Sequence, residues 1–193
     1  MALVPVPDRV RELLAEFAEV QASPITDSAL VERMRTEATR WINAVHMQHR
    51  RISEPLVNAD DPGAEVWRQE IDLHFLLVSL TRLRRAIGLA TRVGSLQEAL
   101  IDRIVEFDGR VPYLPRLRNV GEHFDDYTVG KGRDAEVRRA QLQTWSMGSD
   151  PEGHLIWNWL GEAVHLAEAH TAATDLYRGF LADVGRYFAV AGT

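Results

Sequence analysis

Apolar residues recur every three or four positions through most of this chain, the spacing that places them on one face of an α-helix. This spacing predicts helices over about 9–20, 26–51, 66–93, 96–107 and 112–127, and the breaks between them fall at proline, glycine and other turn-forming residues. The helix over 66–93 is the most apolar segment of the chain. We therefore expect a protein built mainly from helices.

The helix over 66–93 carries two apolar faces. One face holds Trp67, Ile71, Phe75 and Val78, and the other holds Leu73, Leu76, Leu77, Leu80, Leu83 and Ile87. An apolar surface this wide is typical of a helix that packs against neighbours on two sides. We predict that this helix lies at the centre of the fold.

The pattern changes near residue 138 from helical spacing to strand-like alternation of apolar and polar residues. We predict a β-hairpin with strands over 138–145 and 154–160, followed by a long last helix over 161–189. The predicted fold class is all-α, a bundle of about six helices with one small β-hairpin inserted near 138–160. No repeat or linker divides the sequence, so residues 1–193 are expected to form a single helical domain.

The composition is that of an ordinary globular domain, with 46% hydrophobic and 26% charged residues among 193. The chain contains no cysteine, which excludes disulfides, thiolate zinc sites and cysteine nucleophiles. The first residues lack the basic start and apolar run of a signal peptide, and no stretch has the length of a membrane span. We expect a cytoplasmic protein with no membrane partner.

The net charge of −6 argues against a protein that binds nucleic acid by neutralising phosphates over a broad surface. The basic residues are nearly all arginine, since Lys131 is the single lysine. A stretch without acidic residues holds Arg82, Arg84, Arg85 and Arg92. A guanidinium suits phosphate and carboxylate equally, so a local anion-binding patch stays open, although a coding bias toward arginine explains the same excess.

Several familiar motifs are missing from the sequence. It has no Walker loop, no Gly-x-Gly-x-x-Gly after a strand and no Gly-x-Ser-x-Gly nucleophile elbow. The helix that would read DNA in a helix-turn-helix, at 96–107, has a negatively charged face. Glu162 and His165 have the Glu-x-x-His spacing of di-iron bundles, but a second pair is missing.

Histidines give one further candidate for a metal site. His46 and His49 lie three residues apart on a predicted helix and would bind a metal if His74 or His170 supplied a third ligand. In the simpler interpretation, His46 and His49 are surface residues near a helix end and the other two are hydrogen-bonded core residues. We predict no resident metal or cofactor, and we keep a His-ligated, metal-dependent bundle enzyme as an alternative function.

The segment that begins at Leu114 separates into two faces when it is plotted as a helix. The apolar face holds Leu114, Leu117, Val120, Gly121, Phe124 and Thr128, and the polar face holds Arg118, Asn119, Glu122, His123 and Asp126. An arginine, an amide, a carboxylate and an imidazole thus share one predicted surface strip. Gly121 costs a helix roughly 1 kcal/mol relative to alanine, which indicates that another element packs closely against it.

The run Arg118-Asn119-Val120-Gly121-Glu122-His123 resembles the signature of HEPN-domain proteins, an Arg and a polar residue followed by a His late in a helical bundle. The resemblance implies a homodimer in which two copies of the motif face one cleft and cleave RNA without metal. It implies that His123 is the general acid/base around attack of a ribose 2′-OH, that Arg118 holds the scissile phosphate, and that Asn119 orients one of them. Such an endoribonuclease would be a toxin or a defence effector, with an antitoxin as a candidate partner.

Further residues near this motif are expected to bind substrate: Glu122, Tyr127, Lys131 and Arg133. The last two flank the motif and would contact the phosphate backbone. The sequence also departs from the family pattern, because some family toxins carry a tyrosine two residues after the histidine, where this chain has Asp125. Carboxylates at 122, 125 and 126 also crowd the expected phosphate site.

Two alternatives to this catalytic hypothesis stay open. In the first, Arg118 pairs with Glu122, and Asn119 with His123, as surface contacts one helical turn apart. In the second, the chain is a non-catalytic interaction module whose hairpin binds a protein partner through exposed tryptophans, namely Trp145, Trp157 and Trp159. The same tryptophans would otherwise cover the core of the bundle.

Overall fold

The computed structural model describes residues 7, 9–12, 24–54 and 62–191. Residues 9–12 are helical, and the rest of the helix expected over 9–20 lies outside the described residues. The described part is mainly helical with one small sheet, which confirms the predicted fold class. None of its helices combines the length and the apolar character that crossing a membrane requires.

The helices of the described part pack into a bundle. They are α1 (Asp27–Ser53), α2 (Pro62–Ala90), α3 (Gly94–Arg110), α4 (Leu114–Glu122), α5 (Phe124–Thr128) and α6 (Leu166–Ala191). Helix α1 packs along α2 and α6, α3 packs on α6 and α2, and α4 lies against α2. Because α2 contacts all the other long helices, its predicted central position is confirmed.

The two apolar faces of α2 have different surroundings. The face that contains Leu73, Leu80 and Leu83 is fully buried, as predicted. The other face is exposed among the described residues, with Trp67 at 68% and Phe75 at 55% exposure. The prediction that α2 packs on two sides is therefore wrong for this second face, and a broad apolar strip of a central helix faces outward.

The prediction of a single helix over 112–127 is wrong. Helices α4 and α5 meet at His123, whose φ of −117° and ψ of 32° leave the helical region. The break changes which aromatic side chain is buried, since Tyr127 is 4% exposed whereas Phe124, expected on the apolar face, is 37% exposed. Helical periodicity assumes one straight axis, so it does not predict an exchange that depends on a break.

In the described residues the sheet has three antiparallel strands in the order β1 (Trp145–Ser149), β2 (Leu155–Trp159) and β3 (Glu162–His165). The strand expected over 138–145 is wrong, because that segment contains a 3₁₀ turn and β1 begins only at its end. The start of the last helix at Gly161 is also wrong. Leu160 and Gly161, with φ of 54° and 82°, form a two-residue hairpin turn that leads into β3.

The tryptophans of the sheet belong to the core. Trp157 and Trp159 are 1% and 2% exposed, their rings stack at 5.3 Å, and Trp159 Nε1 donates to the carbonyl of Leu142 at 3.2 Å. Trp145 is partly buried and packs against the same core. The hypothesis of an exposed, partner-binding hairpin is therefore wrong, and the interpretation that these residues cover the bundle is confirmed.

Candidate functional site

Two cavities open beside α4, and Arg118 lines both. The larger has a volume of about 590 Å³ and the smaller about 280 Å³. Helix α4 is held in place by Leu117 and Val120, which are completely buried, and it packs on α2. The anchored apolar side leaves Arg118 and Asn119 at the wall of the larger cavity.

Arginine side chains dominate the larger cavity: Arg84, Arg85, Arg116, Arg118 and Arg133. Three of them, Arg84, Arg116 and Arg118, are held by carboxylates. Arg84 binds Asp108 through two bonds of 2.6 and 2.5 Å, which raise the pKa of Arg84. Arg116 binds Asp134 at 2.9 Å and Glu162 at 3.0 Å.

Arg85 and Arg133 are exposed and form no ion pair with another described residue. Both line the larger cavity, so their guanidiniums are available to an anion that enters it. A guanidinium forms two parallel hydrogen bonds with a phosphate more readily than other side chains do. The expected role of Arg133 in phosphate binding fits this position. Lys131 is exposed but is not among the residues that line the cavity.

Arg118 forms an ion pair with Glu122, one helical turn later on α4. This contact confirms the first half of the structural alternative considered above. The Nε atom of Arg118 is buried and has no hydrogen-bond partner among the described residues. The guanidinium is thus held at one end by a carboxylate while one of its donors stays unsatisfied beside the cavities.

Asn119 is bonded to Tyr127 and not to the side chain of His123. Its Nδ2 donates to Tyr127 Oη at 3.0 Å, and the same oxygen accepts the backbone N–H of Asp134 at 3.2 Å. The link between Asn119 and His123 is a backbone bond within the helix, 3.1 Å from His123 N to Asn119 O. Tyr127 therefore joins α4, α5 and the following loop, and its hydroxyl has a structural partner on each side.

His123 projects into solvent at the α4–α5 break. Its side chain is 51% exposed, and its Nδ1 lies 3.8 Å from Asp126 Oδ2. His123 is not among the residues that line either cavity beside Arg118. One copy of the chain therefore does not enclose Arg118 and His123 in a common pocket, although they are close in sequence.

The smaller cavity contains a close contact between α4 and α2. A Cβ atom on Gly121 would lie 2.8 Å from His74 Nδ1, and 3.8 Å from the ring of Trp159. This contact confirms that another element packs closely against Gly121. Burial lowers the pKa of His74, and Glu70 opposes that effect. His74 therefore lies at the wall of this cavity and packs against apolar neighbours.

Three histidines from two helices come together elsewhere on the bundle. His46 Nδ1 lies 2.7 Å from His170 Nε2, and the ring of His49 stacks on that of His170 at 4.3 Å. Burial, together with repulsion from His49 and His46, lowers the pKa of His170 to about 4. The same cause, with His46, lowers the pKa of His49. The sequence left His74 and His170 as candidates for a third ligand beside His46 and His49. The structure brings His170, and not His74, into this cluster.

The other metal-like spacings do not form helical sites. Glu162 and His165 lie on β3, where residues three apart point to opposite faces of the sheet. In the described part of the chain, the group whose ligand atoms all lie within 4.8 Å is Asp150, Glu152 and His154, at the β1–β2 turn. Asp150 there accepts bonds from the backbone N–H and the Nδ1 of His154 at 2.8 and 3.0 Å, which accounts for the cluster as turn structure.

Sequence reasoning missed the contribution of Arg116 and did not place Arg84 and Arg85 beside the motif. The signal for Arg84 and Arg85 was the arginine stretch without acidic residues. Only the packing of α4 on α2 shows that this stretch lies beside the motif. Comparison with models of protein families, with curated proteins and with solved structures finds no match for this chain.

Proposed function

We propose that this protein is a metal-independent endoribonuclease of HEPN type that acts as a homodimer. The observation that carries the proposal is the arginine-lined cavity that ends at Arg118 of the motif. A local cluster of guanidiniums in an acidic chain suits a short phosphodiester segment, whereas it does not suit broad binding of duplex nucleic acid. RNA, with its 2′-OH, supplies both the anion and an internal nucleophile.

In the proposed reaction Arg118, with Arg85 and Arg133 nearby, holds the phosphate and the charge that develops on it. The ribose 2′-oxygen bonds to phosphorus as the P–O5′ bond breaks. A base takes the proton of the 2′-OH, and an acid gives a proton to the departing 5′-oxygen. The products are a 2′,3′-cyclic phosphate and a free 5′-hydroxyl.

His123 is the proposed acid/base because its imidazole is half exposed and free to meet a bound strand. Asn119 is engaged by Tyr127, so its role is to hold the segment that carries His123. The ion pair of Arg118 with Glu122 has to be weakened when a phosphate arrives. Glu122 thus acts as a competitor for the substrate anion at this site.

The exposed face of α2 supports the homodimer. It is apolar over two turns, and Val78 on its border also lines the smaller cavity together with Arg118 and Phe124. A second copy seated on this face by a twofold axis would bury it and bring both motifs to one interface. In such a composite site, His123 of one copy would lie beside the arginine-lined cavity of the other copy, a position that it does not have in its own chain. A cytoplasmic toxin or defence role, with an antitoxin, belongs to the same proposal.

The test is cleavage of a mixed single-stranded RNA pool in EDTA. Wild type should produce 2′,3′-cyclic phosphate ends, and Arg118→Ala and His123→Ala should each lose cleavage. Arg178→Ala and His165→Ala are matched controls, because both residues are exposed and line neither of the cavities beside Arg118. Equal cleavage by wild type and His123→Ala, or none by wild type, contradicts the proposal.

A further inference from the structure

The histidine cluster between α1 and α6 has no place in the proposed ribonuclease. Thr39 Oγ1 lies 2.8 Å from Tyr177 Oη and, further along α1, His46 lies 2.7 Å from His170. The position on α6 falls as the position on α1 rises, so the two helices run antiparallel. The cluster thus lies where the last turns of α1 cross the first turns of α6.

We propose that His46, His49 and His170 form a binding site for a divalent transition-metal ion of the zinc type, with the remaining coordination position open to solvent. Three imidazoles with one open position are a known zinc ligand set, and imidazole also suits nickel and copper. The described carboxylates form no ion pair with these three rings, so the ligand set is all nitrogen.

The distances bring two of the three ligands close to a coordinating arrangement, whereas the ligand atoms of all three do not lie within 4.8 Å of one another. Two imidazole nitrogens bound to one tetrahedral zinc at about 2.1 Å lie about 3.4 Å apart. His46 Nδ1 and His170 Nε2 lie 2.7 Å apart, so a small separation of the rings admits the ion between them. His49 presently stacks on His170 with its ring at 23° to it, and it has to turn about its side-chain bonds to direct a nitrogen at the ion.

The cluster is accessible from solvent. A histidine binds metal only as the neutral imidazole, so a proton competes with the ion. His46 is exposed, and the other two are partly exposed, which gives an ion a path of entry.

The experiment is zinc titration by calorimetry of protein that has been treated with EDTA and desalted, with Co²⁺ absorption as a report on ligand geometry. We expect one zinc ion per chain and a rise in melting temperature with zinc. His170→Ala and His49→Phe should each weaken binding by at least about tenfold. His49→Phe retains a flat ring against His170, so circular dichroism and melting of the metal-free variants separate lost ligation from lost folding.

The control is His154→Ala, which removes the group at the β1–β2 turn and should leave zinc affinity unchanged. Loss of binding in His154→Ala, together with retention in His170→Ala, would place the ion at the turn and overturn the inference. Failure of wild type to bind zinc would also overturn it. The inference is independent of the proposed ribonuclease, which is assayed in EDTA. The His49→Phe variant should therefore cleave RNA as well as wild type does.

Discussion

Arg118 and Glu122 form an ion pair on one face of α4, at the boundary between the two cavities beside that helix. The pair places a carboxylate on the guanidinium with which the proposed ribonuclease would hold phosphate. Whether the cavity accepts an anion therefore depends on how strongly Glu122 competes with it. In a partly buried site a charge pair is stronger than at an open surface, so this competition has a measurable effect.

Replacing Glu122 by glutamine should strengthen the binding of single-stranded RNA. The change removes the negative charge that competes for Arg118 and keeps the size of the side chain, and the expected gain is about 0.5–1 kcal/mol, or several-fold in affinity. Fluorescence anisotropy with a labelled RNA measures it. Glu136→Gln is the control, because Glu136 is exposed on the loop after the motif and pairs with no described arginine. An equal gain in both variants would indicate a general effect of net charge.

Replacing Tyr127 by phenylalanine should destabilise the fold by about 1–3 kcal/mol. The change leaves the Asn119 amide and the Asp134 N–H without their shared acceptor at a site where Tyr127 is 4% exposed. Urea unfolding followed by circular dichroism gives the free energy of unfolding. Tyr177→Phe, which loses a contact with Thr39 between partly exposed side chains, should cost less. Similar losses for both variants would remove the special role assigned to Tyr127.

Replacing Trp67 and Phe75 together by glutamate should convert a dimer into a monomer. The exposed apolar strip on α2 supplies the buried area of the proposed interface, and two charges there make its burial unfavourable. Light scattering after size exclusion measures the mass. Val105→Glu is the control, since Val105 is a 65% exposed apolar residue on α3. A wild-type monomer would contradict the dimer, and loss of cleavage only in the double variant would support the composite site.

The free energy of unfolding should fall as the pH drops below about 6.5, in part because of His74. Burial lowers the pKa of His74 below 6.5, so the unfolded chain takes up this proton more readily than the folded chain. The contribution of His74 to the free energy of unfolding is complete above pH 6.5 and declines below it. Glu70 opposes the shift, and Arg118 and Glu122 share the same cavity.

Comparison of wild type with His74→Phe isolates this contribution. Phenylalanine retains the edge contacts that His74 makes with Trp157 and Trp159 but does not titrate. Urea unfolding at several pH values should show a shallower decline for the variant between pH 7 and 5. The residual slope belongs to the other histidines with lowered pKa values, His49 and His170. Identical slopes for both proteins would show that His74 is not the group involved.

The helices could be predicted from the sequence because helical periodicity and helix ends are local properties. The helix α1 runs over 27–53 against an expected 26–51, and the hairpin turn before β2 falls where turn-forming residues predicted it. The third strand was missed for a local reason as well. The β2–β3 turn uses Leu160 and Gly161 with positive φ, whereas Asn-Gly or Asp-Gly is the usual signal.

The candidate site could be predicted only as a set of residues. Sequence spacing placed Arg118, Glu122 and His123 on one polar strip, and the ion pair of the first two follows from helix geometry. The break at His123 was not visible, because helical spacing continues through it, and the bonds that Tyr127 makes with Asn119 and with the loop after α5 leave no local signal. That bonding involves residues that approach each other only after the loop has folded back.

What the sequence by itself determined is therefore the helical class, the core face of α2 and the set of residues proposed for the candidate site. The tertiary structure alone decided which of them meet. Packing of α4 on α2 joins the arginines of α2 to Arg118, and antiparallel packing of α1 on α6 joins His170 to His46 and His49. Local pattern specifies elements and faces, whereas contacts between distant segments depend on the register in which whole faces pack, and that register is a property of the assembled core.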